Sequence, residues 1–296
     1  MADHSKNAVP EQVTFIDGRG GLPMLQITTP WSTAEIYLHG AHVTNFKKHD
    51  EPPLLFLSQC SRFEDKQPIR GGIPVTFPWF GPREATVMHG FARLTSWEVK
   101  DVLPAPNGAV TVRFRLPDCP EAAAYPPFVA EYVVTVSEEL TLELIVTNNS
   151  KEATLEFEEC LHTYFAVEDI TATRIVGLQG ASYLDKVAGF AKRTENEEAV
   201  RISSEVDRVY MDTTSAVEIR DAYLKRIIRV EKENSASTVV WNPWSTKAQA
   251  MPDFGNDEYL TMVCVESGNV NVNKMFLQPG QSSRMKVKLS SRMLQT

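Results

Sequence analysis

Three short clusters and one carboxylate are the parts of this chain whose residue types could do chemistry. The first reads Arg70-Gly71-Gly72-Ile73-Pro74, followed by Phe77-Pro78-Trp79-Phe80-Gly81. Paired glycines let backbone approach a ligand closely, and a neighbouring guanidinium offers a planar fork for phosphate or carboxylate. A tight turn with a solvated arginine would give the same letters. In the second cluster, Met88-His89-Gly90-Phe91-Ala92-Arg93, a histidine stands beside a glycine with an arginine close by; a structural histidine fits equally. The third, Cys160-Leu161-His162-Thr163-Tyr164-Phe165, ends an alternating run over residues 153–165. Parity puts Glu156, Glu158, Cys160, His162 and Tyr164 on one face and Leu155, Phe157, Leu161 and Phe165 on the other. His162 then looks either into solvent or onto the floor of a cleft. Glu266 closes a run, residues 259–266, that is apolar on both faces until its last residue. A carboxylate there needs a partner or a shifted pKa, which suits proton transfer. A strand-end glutamate pointing into water is the plain alternative.

Other chemistries lack their signatures. The chain has no G-x-S-x-G elbow, Walker loop, G-x-G-x-x-G or H-E-x-x-H. His39 and His42 are three apart but have no acidic or thiol neighbours, so no metal is expected. Cys60, Cys119, Cys160 and Cys264 are scattered singly, which rules against a zinc ribbon or a disulfide framework. Buried free thiols and a reducing, cytoplasmic setting are expected.

The elements that must position these groups read as strands. Val110, Val112, Phe114 and Leu116 alternate with Thr111, Arg113 and Arg115. Similar runs cover residues 129–136, 141–147, 153–165, 224–230, 238–242, 259–266 and 285–289, with turn signals between them. One short helix is expected over 252–259, with Asp253 as its cap. Strands do not alternate with long helices, so the fold class is all-β, a sandwich or barrel. With no low-complexity linker or internal repeat, residues 1–296 form a single domain with its core over about residues 30–290.

Composition narrows the partners. Lys plus Arg number 30 against 38 Asp plus Glu in 296 residues, a formal net charge of −8. That balance argues against general binding to nucleic acid or an anionic membrane surface. No stretch approaches the roughly 18 apolar residues of a membrane span. Residues 1–10 are polar without an apolar core, so no secretory signal is expected.

Taken in order, the clusters resemble the galactose mutarotase-like superfamily and, within it, the hexose-6-phosphate mutarotases (glucose-6-phosphate 1-epimerases). Val206-Asp207-Arg208-Val209-Tyr210, Trp241-Asn242-Pro243-Trp244 and Cys264-Val265-Glu266 complete the set, which spans about residues 30–290. The resemblance implies a large antiparallel β-sandwich with few short helices, whose concave face holds the sugar. His162 matches the family's general acid and Glu266 its general base. Arg70, His89, Arg93 and Asp207 fall at its substrate-binding positions. Met88 departs from the polar residue, usually Gln, found before the His-Gly pair, and a thioether cannot donate to a hydroxyl or phosphate. The implied reaction exchanges the α and β anomers of a hexose 6-phosphate, foremost glucose 6-phosphate, by ring opening and closure. It needs one acid, one base and no metal or cofactor. Arg70 and Arg93 would hold the 6-phosphate, and Asp207 and His89 the ring hydroxyls. His162 would be protonated, its pKa raised by Glu156 and Glu158. A monomer in the cytoplasm acting on a small molecule is expected. An aldose 1-epimerase for neutral sugars and a non-catalytic sugar- or sugar-phosphate-binding sandwich are the alternatives.

Overall fold

Alternation is plainest in the hairpin of Phe128–Val136 and Leu140–Asn148, where nearly every second residue is buried. The buried set, including Tyr132, Val134, Leu142 and Leu144, faces inward, and each such aliphatic contributes roughly 1.5–3 kcal/mol by leaving water. This hairpin lies within a nine-stranded antiparallel sheet that also holds Val110–Arg115, Arg226–Glu233 and Ser282–Met293. Facing it is an eight-stranded sheet. Its strands include, in order toward one edge, Val206–Tyr210, Ser237–Asn242, Met262–Asn269, Glu159–Leu161 and, at the edge, Val75–Thr76. Leu161, Val240, Val263 and Val265 from this sheet join Val112, Phe114, Leu144 and Val287 from the other in one apolar cluster. The computed structural model that carries these elements describes residues 12–294. Residues 1–10, read above for an export signal, lie outside them. No helix of the described residues is long and apolar enough to cross a membrane.

Two sequence readings fail locally. The α-helix is Trp244–Ala250; residues 252–257 are turns and bends, followed only by a single 3₁₀ turn, Glu258–Thr261. Pro252 stands just past that helix's end, and Gly255 lies within the turns; both suit the chain's exit better than a new helix. Asp253, expected as a cap, binds Arg70 instead. The run 153–165 is also not one strand. It divides into Leu155–Phe157, Glu159–Leu161 and Tyr164–Ala166, the first paired with Met275–Leu277 in a separate small sheet. The Glu158 N–H leaves the ladder to donate to the Pro78 carbonyl.

Parity therefore does not carry across the break. Glu156 is exposed and pairs with Lys274. Glu158 accepts the N–H groups of Phe80 and Asn271. Neither carboxylate faces His162. Of the cysteines, Cys160 and Cys264 are buried, Cys119 is half-buried and Cys60 is exposed, so burial holds for two of the four. His39 and His42 spend their Nε2 atoms on the carbonyls of Gln67 and Gly71.

The break also buries Glu159, whose only side-chain partner is Asn269, leaving Oε2 without one. Burial raises its pKa from 4.5 to about 7. The folded state thus keeps a proton that the unfolded chain releases, and stability falls as pH rises from about 4.5 through 7. The 2.5-unit difference (7 − 4.5) corresponds to about 3 kcal/mol. Glu159→Gln keeps an acceptor for Asn269 and does not titrate. It is expected to raise the melting temperature at pH 8 and leave it nearly unchanged at pH 4.5, read by thermal denaturation.

Candidate active site

The strand Met262–Asn269 is buried along its whole length. Val263 and Val265 point to the core between the sheets, which leaves Cys264 and Glu266 on the opposite face. Glu266 is 1% exposed. Beside it, at the end of Glu159–Leu161, the chain kinks. The Thr163 N–H donates back to the Leu161 carbonyl, while the His162 N–H donates to Pro74. His162 Nε2 then lies 3.3 Å from Glu266 Oε1, and the Cys160 thiol donates to Oε2 over 3.4 Å. The imidazole stacks on Tyr164 at 4.8 Å and meets Trp241 and His89 edge-on.

The seven residues singled out from sequence, Arg70, Met88, His89, Arg93, His162, Asp207 and Glu266, all line one cavity of about 260 Å³. Small-molecule sites run from roughly 300 Å³ upward, so this one suits a single small ligand rather than a polymer. The glycine pair after Arg70 serves a different end from the one expected. Gly71 and Gly72 have φ of 115° and 59°, and a Cβ on either would strike the backbone of Phe56 or Val43. They let chain pass chain, and so deliver Arg70, rather than admit a ligand.

Each charged group has a distinct set of partners. Arg70 donates to both oxygens of Asp253 and to the Tyr164 hydroxyl. Burial opposes its charge, but Tyr164 and Asp253 outweigh burial and raise its pKa. Asp207 pairs with Lys186 at 2.9 Å, and at the rim Lys247 pairs with Glu205 at 2.6 Å. Arg93 differs. It is 8% exposed, donates to the Met88 carbonyl at 2.7 Å, has no partner at Nε and makes no ion pair among the described residues. Burial, reinforced by Arg70, lowers its pKa to about 10. Since a peptide carbonyl holds it, any residue at 88 supplies that bond, and the Met88 thioether is left half-exposed at the cavity.

His89 sits at φ 64° and accepts the Gly81 N–H at Nδ1, so its hydrogen is on Nε2 and the ring can donate. Burial first, then Arg93, keeps it neutral. For His162, burial, Arg93 and Arg70 push the pKa well below the usual range. That corrects the expectation of a raised value: the nearby field is cationic, and Glu156 and Glu158 are elsewhere. Burial and then Asp207 push the Glu266 carboxyl well up. Both shifts act against the ion pair: burial and the guanidiniums disfavour the imidazolium, and burial and Asp207 disfavour the carboxylate.

Lys186, Tyr164 and Trp241 were given no role in the site from sequence, and Asp253 was read only as a helix cap. Lys186 follows the strand Ser182–Asp185 and receives no spacing signal; only its 2.9 Å pairing with Asp207 brings it in. Asp253 lies 183 positions from Arg70, beyond any local pattern.

A family model described as aldose 1-epimerase matches residues 23–290. A protein of Cenchrus ciliaris is 38% identical over 267 residues, 87% of this chain and 81% of its own. One from Escherichia coli K12 is 32% identical over 252 residues, 83% of each. Both carry the provisional name glucose-6-phosphate 1-epimerase. Among solved structures, a provisionally named mutarotase from Salmonella typhimurium is 26% identical with a TM-score of 0.89, covering 97% of this chain and 96% of its own. A galactose mutarotase-like protein from Clostridium acetobutylicum, 16% identical with a TM-score of 0.74, covers 95% of this chain and 98% of its own; it shares the fold.

Proposed function

The chain belongs to the aldose 1-epimerase family, and from that membership we propose that it is an isomerase interconverting the α and β anomers of a hexose 6-phosphate, foremost glucose 6-phosphate. Exchange runs through the open-chain aldehyde. A base removes the O1 proton, an acid delivers one to O5, and the ring opens. Rotation about C1–C2 presents the other carbonyl face, and the reversed transfers close the ring. Glu266 is the base and His162 the acid; their 3.3 Å separation lets both reach O1 and O5 of one ring. Asp207 and the His89 Nε2–H orient ring hydroxyls, with Lys186 positioned by Asp207.

One observation carries the phosphate: Arg93 is a buried cation without a carboxylate. Burying an unpaired charge costs several kcal/mol, a cost offset when an anion arrives. A neutral sugar would leave Arg93 unmatched, whereas a phosphate accepts from its guanidinium, with Arg70 alongside. The relatives named as glucose-6-phosphate 1-epimerases support the same substrate class. In this reading the chain works as one unit, a monomer in the cytoplasm, in keeping with its free cysteines.

The test is anomer exchange followed by NMR or polarimetry from freshly dissolved α-glucose 6-phosphate, α-glucose and α-galactose. Acceleration of the sugar phosphate well above the neutral sugars is expected. Acceleration of the neutral sugars alone overturns the assignment.

A further inference from the structure

The acid–base pair and the cationic end of the cavity are carried by separate stretches of chain. Glu266 stands on Met262–Asn269 and His162 in the kink that ends the neighbouring strand Glu159–Leu161, whereas Arg93 lies in the short turn Ala92–Leu94 and Arg70 precedes the glycine pair. The phosphate's charge can therefore act on the pair without being bonded to the sugar. We propose that this protein also catalyses anomer exchange of a neutral aldose when a free small oxyanion, such as phosphite or inorganic phosphate, occupies the subsite at Arg93. The inference rests on the phosphate reading above and assigns the anion a second role, as an activator of the acid.

The reason lies in which neighbours each member of the pair faces. Arg93, Arg70 and Lys186 line the same cavity as His162 and disfavour its charge, and neutral His89 meets it edge-on at 5.4 Å. Tyr164 stacks against it with its hydroxyl held by Arg70. Glu266 is faced instead by Asp207, Lys186 and the thiols of Cys160 and Cys264. The guanidiniums act on the imidazolium, whereas the charges that act on the carboxylate are those of Asp207 and Lys186. Both shifts disfavour the ion pair in which His162 holds the proton, the form that turnover needs. A dianion at Arg93 offsets the positive field at His162 and leaves the surroundings of Glu266 nearly unchanged. The Glu266 O–H bond then breaks and an Nε2–H bond forms across the 3.3 Å contact, with no proton gained or lost. The aldose next gives its O1 proton to the Glu266 carboxylate and takes one at O5 from His162. Ring closure returns both, so the anion is not consumed. A pentose and a phosphite together are smaller than a hexose 6-phosphate, so a cavity that admits the latter has room for both.

The experiment uses the full chain with xylose, which lacks the exocyclic carbon, and phosphite titrated at constant ionic strength. Phosphite's own catalysis is subtracted with an enzyme-free control. A saturable rise in kcat/KM for xylose of at least about tenfold is expected, with the 10²–10⁴ that a correctly protonated acid supplies as its ceiling. The rise should vanish in Arg93→Ala. The pH profile of the wild-type enzyme gives a readout that needs no variant: a raised His162 pKa moves the alkaline limb upward when phosphite is present. Phosphite that only inhibits, or leaves rate and limb unchanged while glucose 6-phosphate is still turned over, overturns this inference alone. Failure to turn over glucose 6-phosphate overturns the substrate reading beneath it.

Discussion

Glu266→Gln is expected to lower catalysed anomer exchange of glucose 6-phosphate by about 10²–10⁴-fold while KM changes little. The amide keeps the shape of the side chain and can still accept from Cys160, but it cannot take the O1 proton. Magnetisation exchange between the two anomers measures the loss directly, and wild-type rates in the variant would sink the assignment. The same substitution should improve stability. Burial and the neighbouring Asp207 carboxylate hold the folded Glu266 protonated well above 4.5. The unfolded chain ionises at its ordinary value, so the folded state binds the extra proton and stability falls as pH climbs above that range. Glutamine does not titrate. The variant should therefore melt higher than wild type at pH 8 and about level with it near pH 4, a gain in stability at the cost of activity.

Arg93→Ala is expected to reduce kcat/KM for glucose 6-phosphate by about 10²-fold or more, while that for glucose does not fall. Hydrogen bonds to a charged group contribute about 1.5–3 kcal/mol each, and the guanidinium can make two to a phosphate. Most of the loss should fall in KM if Arg93 only holds the phosphate. A rise in kcat/KM for glucose is expected if Arg93 also keeps His162 unprotonated. Steady-state kinetics with both substrates separates these outcomes. Equal losses for sugar and sugar phosphate would remove the phosphate role.

The sandwich was legible because burial between two sheets enforces a period of two, as in Phe128–Val136 and Leu140–Asn148. The residues lining the cavity were legible for another reason: Arg70, His89, Arg93, His162, Asp207 and Glu266 sit in short runs whose types are hard to motivate by packing alone. What failed was inference across a break. Parity assumed a continuous strand through Glu156, Glu158 and His162, but one backbone N–H turned to Pro78 ends the ladder and removes both carboxylates from the site. The sign of the His162 shift failed with it. Polarity along a strand says nothing of the guanidiniums that other segments bring in. Asp253 and Lys186 were missed on the same ground, since only the folded chain sets them against Arg70 and Asp207.

The ties that fix Arg70 have a consequence for how the protein matures. They join positions 94 and 183 residues apart, and the Cys160–Glu266 bond spans another 106. Contacts that close such long loops carry a large entropy cost and tend to form late. Hairpins such as Phe128–Val136 with Leu140–Asn148 close only short loops and can assemble before Asp253 meets Arg70. During refolding, regain of turnover should then trail regain of β-sheet signal. No fragment ending before residue 253 contains the whole site, so turnover reports arrival at the finished native state.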